Sequence, residues 1–246
     1  MFTLYGLPSV AGLRQPSPWV LKVELAMRSL GLEYVLENIP PTRIGTFGPS
    51  GKVPLLVYEG VSLNESERIV KAIELHAEPT SYPQPTDQNH KDGIAFIRLV
   101  EDHLYHIICL SKYTNKESSN LMIAEMYSSF PAIATSLMAA TAGRAMKKRV
   151  SGTSIGGLTD SEIAEEAAKD ITALSKQLSQ NGFIASTQLT VYDFTVAAHI
   201  ASIFFWRYDN WLTPLFKEDS VFYDYLVRVA DAVGGFEYEV SPKLGV

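Results

Sequence analysis

The sequence predicts an α/β domain of about 80 residues followed by an all-helical domain. Three observations carry this. Residues 1–78 order as strand, helix, strand, then strand, strand, helix. Residues 79–89 concentrate Pro79, Pro83 and Pro85 among Thr, Ser, Asp and Asn, as a linker does. Over residues 90–246, apolar residues recur mainly at helical spacing. A chain of 246 residues can bury such cores without staples.

Residues 2–7 (Phe-Thr-Leu-Tyr-Gly-Leu) are rich in strand formers. A loop with Pro8, Gly12 and Pro16 follows. Val20, Val23, Met27 and Leu30 then mark one face of a helix. Ser17 and Pro18 stand where its N-cap and first helical position belong, and Gly31 where a left-handed C-cap belongs. Residues 33–39 read as a second strand, reached by a right-handed parallel crossover. Val53–Tyr58 and Val61–Leu63 read as a hairpin about Glu59-Gly60, with a helix from about Ser66 to His76.

Ile94, Ile97, Val100 and Leu104 open the first helix of the second domain, which continues to about Ser111. Leu121–Lys148 is a second helical region, broken or bent at Pro131. Ile163, Ala167, Ile171, Leu174 and Leu178 stripe a third. Thr190–Trp206 is apolar on nearly every side and is expected at the centre of a bundle. Val221, Phe222, Tyr225, Leu226 and Val229 mark a fifth.

Composition narrows the function classes. Apolar residues are 46% and charged residues 20%, ordinary for a globular protein. A net charge of −6 lacks the footprint of a nucleic-acid binder. The single Cys109 excludes an intrachain disulfide and a Cys-x-x-Cys centre. No apolar run is long enough to span a membrane, and no charged-then-apolar leader opens the chain, so a cytoplasmic protein is expected. His103 and His106 lack a second ligand cluster, so no metal is expected.

Three motifs give the pattern a family resemblance. They are Gly51-Lys52-Val53-Pro54 before the third strand, Asn64-Glu65-Ser66 opening the next helix, and Thr190-Val191-Tyr192-Asp193 opening the buried one. With the domain order, they resemble the glutathione transferase superfamily across nearly the whole chain. That resemblance implies a thioredoxin-like first domain, an all-α helical-bundle second domain, and glutathione as substrate or ligand. Within the superfamily, Ser17–Glu24, Val100–Tyr105 and Ser161-Glu162-Ile163 resemble the failed-axon-connections/metaxin-like branch. The branch implies an alternative: a non-catalytic interaction module on the same fold.

The resemblance assigns roles residue by residue. Pro54 is expected to follow a cis bond, leaving the Val53 backbone free to pair with glutathione's cysteinyl unit. Glu65 and Ser66 suit the γ-glutamyl group, because a helix start offers hydroxyl, N–H groups and a positive dipole end. Lys52 suits the glycine carboxylate. Ser17 and, as its rival, Tyr5 are the candidates to donate a hydrogen bond to the thiolate. Tyr105, Tyr127, Phe130 and Trp206 are candidate walls for a small apolar electrophile. Asp193 reads as a structural cap. A homodimer is expected, with no nucleic-acid partner.

Overall fold

The computed structural model describes residues 1–77, 82, 83 and 85–240. Strands β1 (Phe2–Gly6), β2 (Tyr34–Asn38), β3 (Leu55–Tyr58) and β4 (Val61–Asn64) form one sheet in the order β2-β1-β3-β4. β1 and β2 are parallel, as the crossover through helix α1 (Pro18–Ser29) requires. β3 runs antiparallel to β1, with Leu56 opposite Leu4, and pairs with β4 through the hairpin at Glu59-Gly60. Leu4 and Leu56 are fully buried at the sheet centre, against apolar residues such as Val23 of α1 and Ile69 and Ile73 of α2 (Ser66–Glu74). Gly31 has φ 65°, the left-handed turn that stops α1.

Parts of the expected linker, residues 78–81 and 84, lie outside the described residues. Helix α3 (Asp87–Arg98) starts inside the stretch read as linker, because Thr86 Oγ1 accepts the Asn89 N–H at 3.3 Å and caps it. A π-helical segment, Leu99–Leu104, joins α3 to α4 (Tyr105–Thr114) as one rod. The helical region expected over 121–148, broken or bent at Pro131, is broken there into two helices, α5 (Lys116–Met126) and α6 (Ala132–Val150), because Pro131 lacks the donor needed to continue. Asn115 ends α4, and its side chain accepts the Ser118 N–H at 2.9 Å to cap α5.

Helix α7 (Asp160–Asn181) begins at a capping box of Thr159 and Glu162. Helix α8 (Val191–Phe204) is the expected buried centre: every residue from Tyr192 to Ile203 is buried. Asp193 accepts the Thr190 N–H and the Ile184 N–H, each at 2.8 Å, and the Tyr225 hydroxyl at 3.1 Å. A short α9 (Thr213–Lys217) and α10 (Ser220–Ala232) complete the bundle. Helix α1 packs directly on α8, so sheet domain and bundle share one core. Among the described residues, no helix is long and apolar enough to cross a membrane.

The loop from Pro8 to Pro16 is tied down at many points. The Ala11 N–H donates to Glu125 of α5 at 2.8 Å, and its carbonyl accepts the Arg207 N–H at 2.9 Å. The C-terminal segment closes over it: the Arg14 N–H donates to the Tyr238 carbonyl and the Val240 N–H to that of Gly12. Val10, Ala11, Leu13 and Gln15 are buried in consequence.

Candidate active site

A cleft of about 1080 Å³ opens between the sheet domain and the helices. Ser17, Lys52, Val53, Pro54, Glu65 and Ser66 all line it. The topology explains the convergence. The end of β1 feeds the loop into α1, the approach to β3 carries Val53, and β4 ends directly at α2.

The Val53-Pro54 bond is cis. β3 begins only at Leu55, and the Val53 N–H and C=O have no backbone partner among the described residues. They form an unpaired edge at the cleft wall. The loop before it folds on itself, the Gly45 N–H donating to the Gly51 carbonyl at 3.1 Å. Gly51 has φ 63°, and a Cβ there would lie 2.6 Å from the Gly45 oxygen, so glycine is required.

Glu65 is the N-cap of α2 with φ 68°, a conformation that costs a non-glycine residue about 1–3 kcal/mol. It sets Ser66 at the first turn, buried yet lining the cleft. Lys52 is exposed at the rim.

Ser17 is the N-cap of α1 with extended backbone (φ −86°, ψ 113°), but its hydroxyl makes no capping bond. The Gln15 side chain organises the turn instead, accepting the Ser17 N–H at 3.2 Å. Pro18 needs no cap for its own nitrogen. The Ser17 hydroxyl is therefore left to the cleft, at the positive end of a 12-residue helix.

Tyr5 stands elsewhere. Strand alternation buries Leu4 and turns Tyr5 to the other face, where its ring packs on Phe47 at 5.0 Å. It is not among the residues lining the cleft. Tyr105, Tyr127 and Trp206 do line it. Phe130 does not: it follows the end of α5, is 43% exposed, and among the described residues its ring meets that of Tyr127 alone, edge to face at 5.9 Å.

Several further residues line the cleft. Trp19 stands edge-on to Tyr105 at 5.5 Å and to His199 at 4.9 Å. Lys22 of α1 pairs with Glu101 of the π segment at 3.2 Å, both largely buried. Burial raises the Glu101 carboxyl, partly offset by Lys22. Lys112 of α4 is buried, donates to the Ser202 carbonyl at 2.6 Å, and lies 4.1 Å from the Trp206 ring centre. Its desolvation lowers its pKa from 10.5 to about 7. Burial raises Cys109, one turn earlier. The sequence signal for Lys112 is a charge closing the apolar run Ile107–Leu110.

His103 is committed elsewhere, its Nδ1 meeting Asp170 at 2.6 Å. Among the described residues, no group of three His, Cys, Asp or Glu is placed to hold a metal.

Comparisons with known proteins agree with this architecture. The family model of the glutathione S-transferase N-terminal domain matches residues 18–119. Isoprene-epoxide–glutathione S-transferase of Rhodococcus sp. (strain AD45) is 24% identical over 236 residues, 93% of this chain and 98% of that one. Glutathione S-transferase III in apo form superposes with TM-score 0.59 at 16% identity, covering 98% of this chain and 99% of the other. The beta-etherase LigF of Sphingobium sp. strain SYK-6 gives 0.59 at 18%, covering 94% and 96%. The chain thus has the glutathione S-transferase fold, a thioredoxin-like sheet domain followed by a mostly helical region, and its residues 18–119 are similar to that family's N-terminal domain.

Proposed function

We propose that this protein binds reduced glutathione and transfers its thiolate to a small electrophile, with epoxides as the class to test first. One observation carries the reading: the unpaired Val53 backbone, the Ser66 helix start and the free Ser17 hydroxyl share one cleft. The relative from Rhodococcus, by its name, acts on an epoxide.

In this reading residues 1–78 hold glutathione, residues 79–89 link, and residues 90–246 supply the second-substrate wall. The tripeptide pairs with Val53 as an added strand. Its γ-glutamyl carboxylate meets Ser66 and the N-terminus of α2, its ammonium meets Glu65, and its glycine carboxylate meets Lys52. The thiol then lies toward Ser17. Bringing a free thiol from about 8.5 to about 6.5 takes about 2.7 kcal/mol of preference for the thiolate. A hydrogen bond to a charged group supplies about 1.5–3 kcal/mol and a helix N-terminus about 0.3–1 kcal/mol more, which is enough. Tyr5, packed on Phe47 outside the cleft, is a weaker candidate for this donor.

Tyr105, Tyr127 and Trp206 wall the electrophile, and Phe130 is left out of that wall. A cytoplasmic homodimer belongs to the proposal. So does the narrower placement in the failed-axon-connections/metaxin-like branch. The uncommitted Ser17 hydroxyl favours catalysis over a non-catalytic module.

Ser17→Ala tests this. Thiol conjugation should fall about 10- to 100-fold, the loss of one charge-assisted hydrogen bond, with glutathione affinity nearly intact. Full activity in Ser17→Ala, with loss in Tyr5→Phe, would transfer the role to Tyr5.

A further inference from the structure

The helical wall of the cleft holds a cation that the conjugation reading does not use. Tyr105, Cys109 and Lys112 stand one and two turns apart on α4 and all line the cleft. Tyr105 meets Trp19, which lies two residues from Ser17, and Lys112 lies about 10 Å further along the helix axis. The Lys112 ammonium spends one N–H on the Ser202 carbonyl and lies over the Trp206 ring. Among the described residues it has no carboxylate partner, whereas the other buried lysine of the cleft, Lys22, is paired with Glu101. Ser202 and Trp206 line the same cleft, so the ammonium sits at its floor with N–H donors left over. A desolvated cation without a counter-ion favours a ligand that brings or develops negative charge there.

We infer that Lys112 is the proton donor to the electrophile's oxygen in conjugations that break a carbon–oxygen bond. The inference rests on the conjugation reading above. The thiolate attacks the ring carbon of an epoxide, the carbon–sulfur bond forms, and the carbon–oxygen bond breaks with its electron pair passing to oxygen. The Lys112 ammonium gives that oxygen a proton and regains one from water. An electrophile that releases chloride needs no such proton.

Titratable and charged groups that share the helical wall of the cleft with Lys112 are Tyr105, Cys109 and Tyr113 on α4, Tyr127 after α5, Arg149 on α6 and Lys22 on α1, with Glu101 on the π segment and His199 on α8 behind them. Burial raises Cys109, raises Tyr113 to about 12 and lowers His199 to about 3, so none of these three titrates near neutrality.

The test measures kcat/KM for a small aliphatic epoxide and for an activated aryl chloride, in the full chain with reduced glutathione. The ratio of the two cancels the titration of the glutathione thiol. In the wild type, the epoxide-to-chloride ratio should fall as pH rises, with a midpoint near 7. In Lys112→Met that pH dependence should vanish, and the ratio at pH 6 should drop about 100-fold. Lys112→Arg should keep the charge but not restore the proton transfer, because arginine does not release its proton. A flat ratio in the wild type, or equal losses on both electrophiles in Lys112→Met, would overturn the proton-donor role while leaving conjugation standing. Should the wild type conjugate neither electrophile yet bind glutathione, the conjugation reading fails and takes this inference with it.

Discussion

The Lys22–Glu101 pair offers the sharpest account of how the two layers are held around the cleft. The side chains are 6% and 11% exposed, and their charged atoms are 3.2 Å apart. At an effective dielectric of about 20, that separation corresponds to about 5 kcal/mol of attraction. Desolvation offsets most of it, so the pair adds little net stability against an apolar replacement. Breaking it is different. Lys22→Met strands the Glu101 carboxylate, and Glu101→Leu strands the Lys22 ammonium. Each single change should cost about 3 kcal/mol. Arg98, 3.8 Å from Glu101 and 56% exposed, can relieve part of the first case but none of the second. The double variant should lose at least 2 kcal/mol less than the sum of the singles. Urea unfolding of the four proteins reads these values from the midpoints and slopes. Single losses below about 1 kcal/mol with a strictly additive double variant would refute the argument. The pair would then be a solvated contact despite its burial.

Other perturbations follow from the same structure. Asp193→Ala removes the acceptor for the Thr190 and Ile184 N–H groups and the Tyr225 hydroxyl, all inside the bundle. It should cost about 3 kcal/mol or more, visible as a lower midpoint in thermal or urea unfolding. Lys112 gives the stability a pH dependence. Its folded-state pKa of about 7 lies below the ordinary 10.5, so the unfolded chain binds more protons between those values. Stability from this group therefore rises as pH increases from 7 to 10.5, by an amount of order 5 kcal/mol at most. Lys112→Met should remove that rise and be more stable than the wild type at pH 6, by the same unfolding measurements.

Much of the fold was legible because local signals agreed with the tertiary outcome. Val20, Val23 and Met27 face the core on α1, and Gly31 adopts the left-handed turn that its position suggested. The apolar run after Thr190 is central in the bundle, as its lack of a polar face implied. The helical hairpin of α5 and α6 was harder to read. Its break at Pro131 was legible, but no apolar stripe marks the start of α5 at Lys116, where Asn115 caps it ahead of the expected Leu121. The helix start at Asp87 was hidden by the prolines just before it.

Lys52, Val53, Pro54, Glu65 and Ser66, which the structure brings to one cleft, were readable because they cluster in short motifs at element boundaries. The opposite wall was not. Lys22 on α1 is far in sequence from Glu101 and Lys112 on the rod of α3 and α4, and only the packing of α1 on α8 beside that rod brings them to one cleft. Tyr5 and Phe130 carry suitable chemistry, but strand alternation and the break at Pro131 turn them away.

The central claim is that the edge at Val53 and the helix start at Ser66 form a glutathione site. Calorimetric titration of the full chain with reduced glutathione tests it most directly. Saturable heat of binding below millimolar ligand is predicted, weakened about 10-fold in Ser66→Ala through the loss of one hydrogen bond to the γ-glutamyl carboxylate. Absence of heat or thermal stabilisation at millimolar glutathione would contradict it.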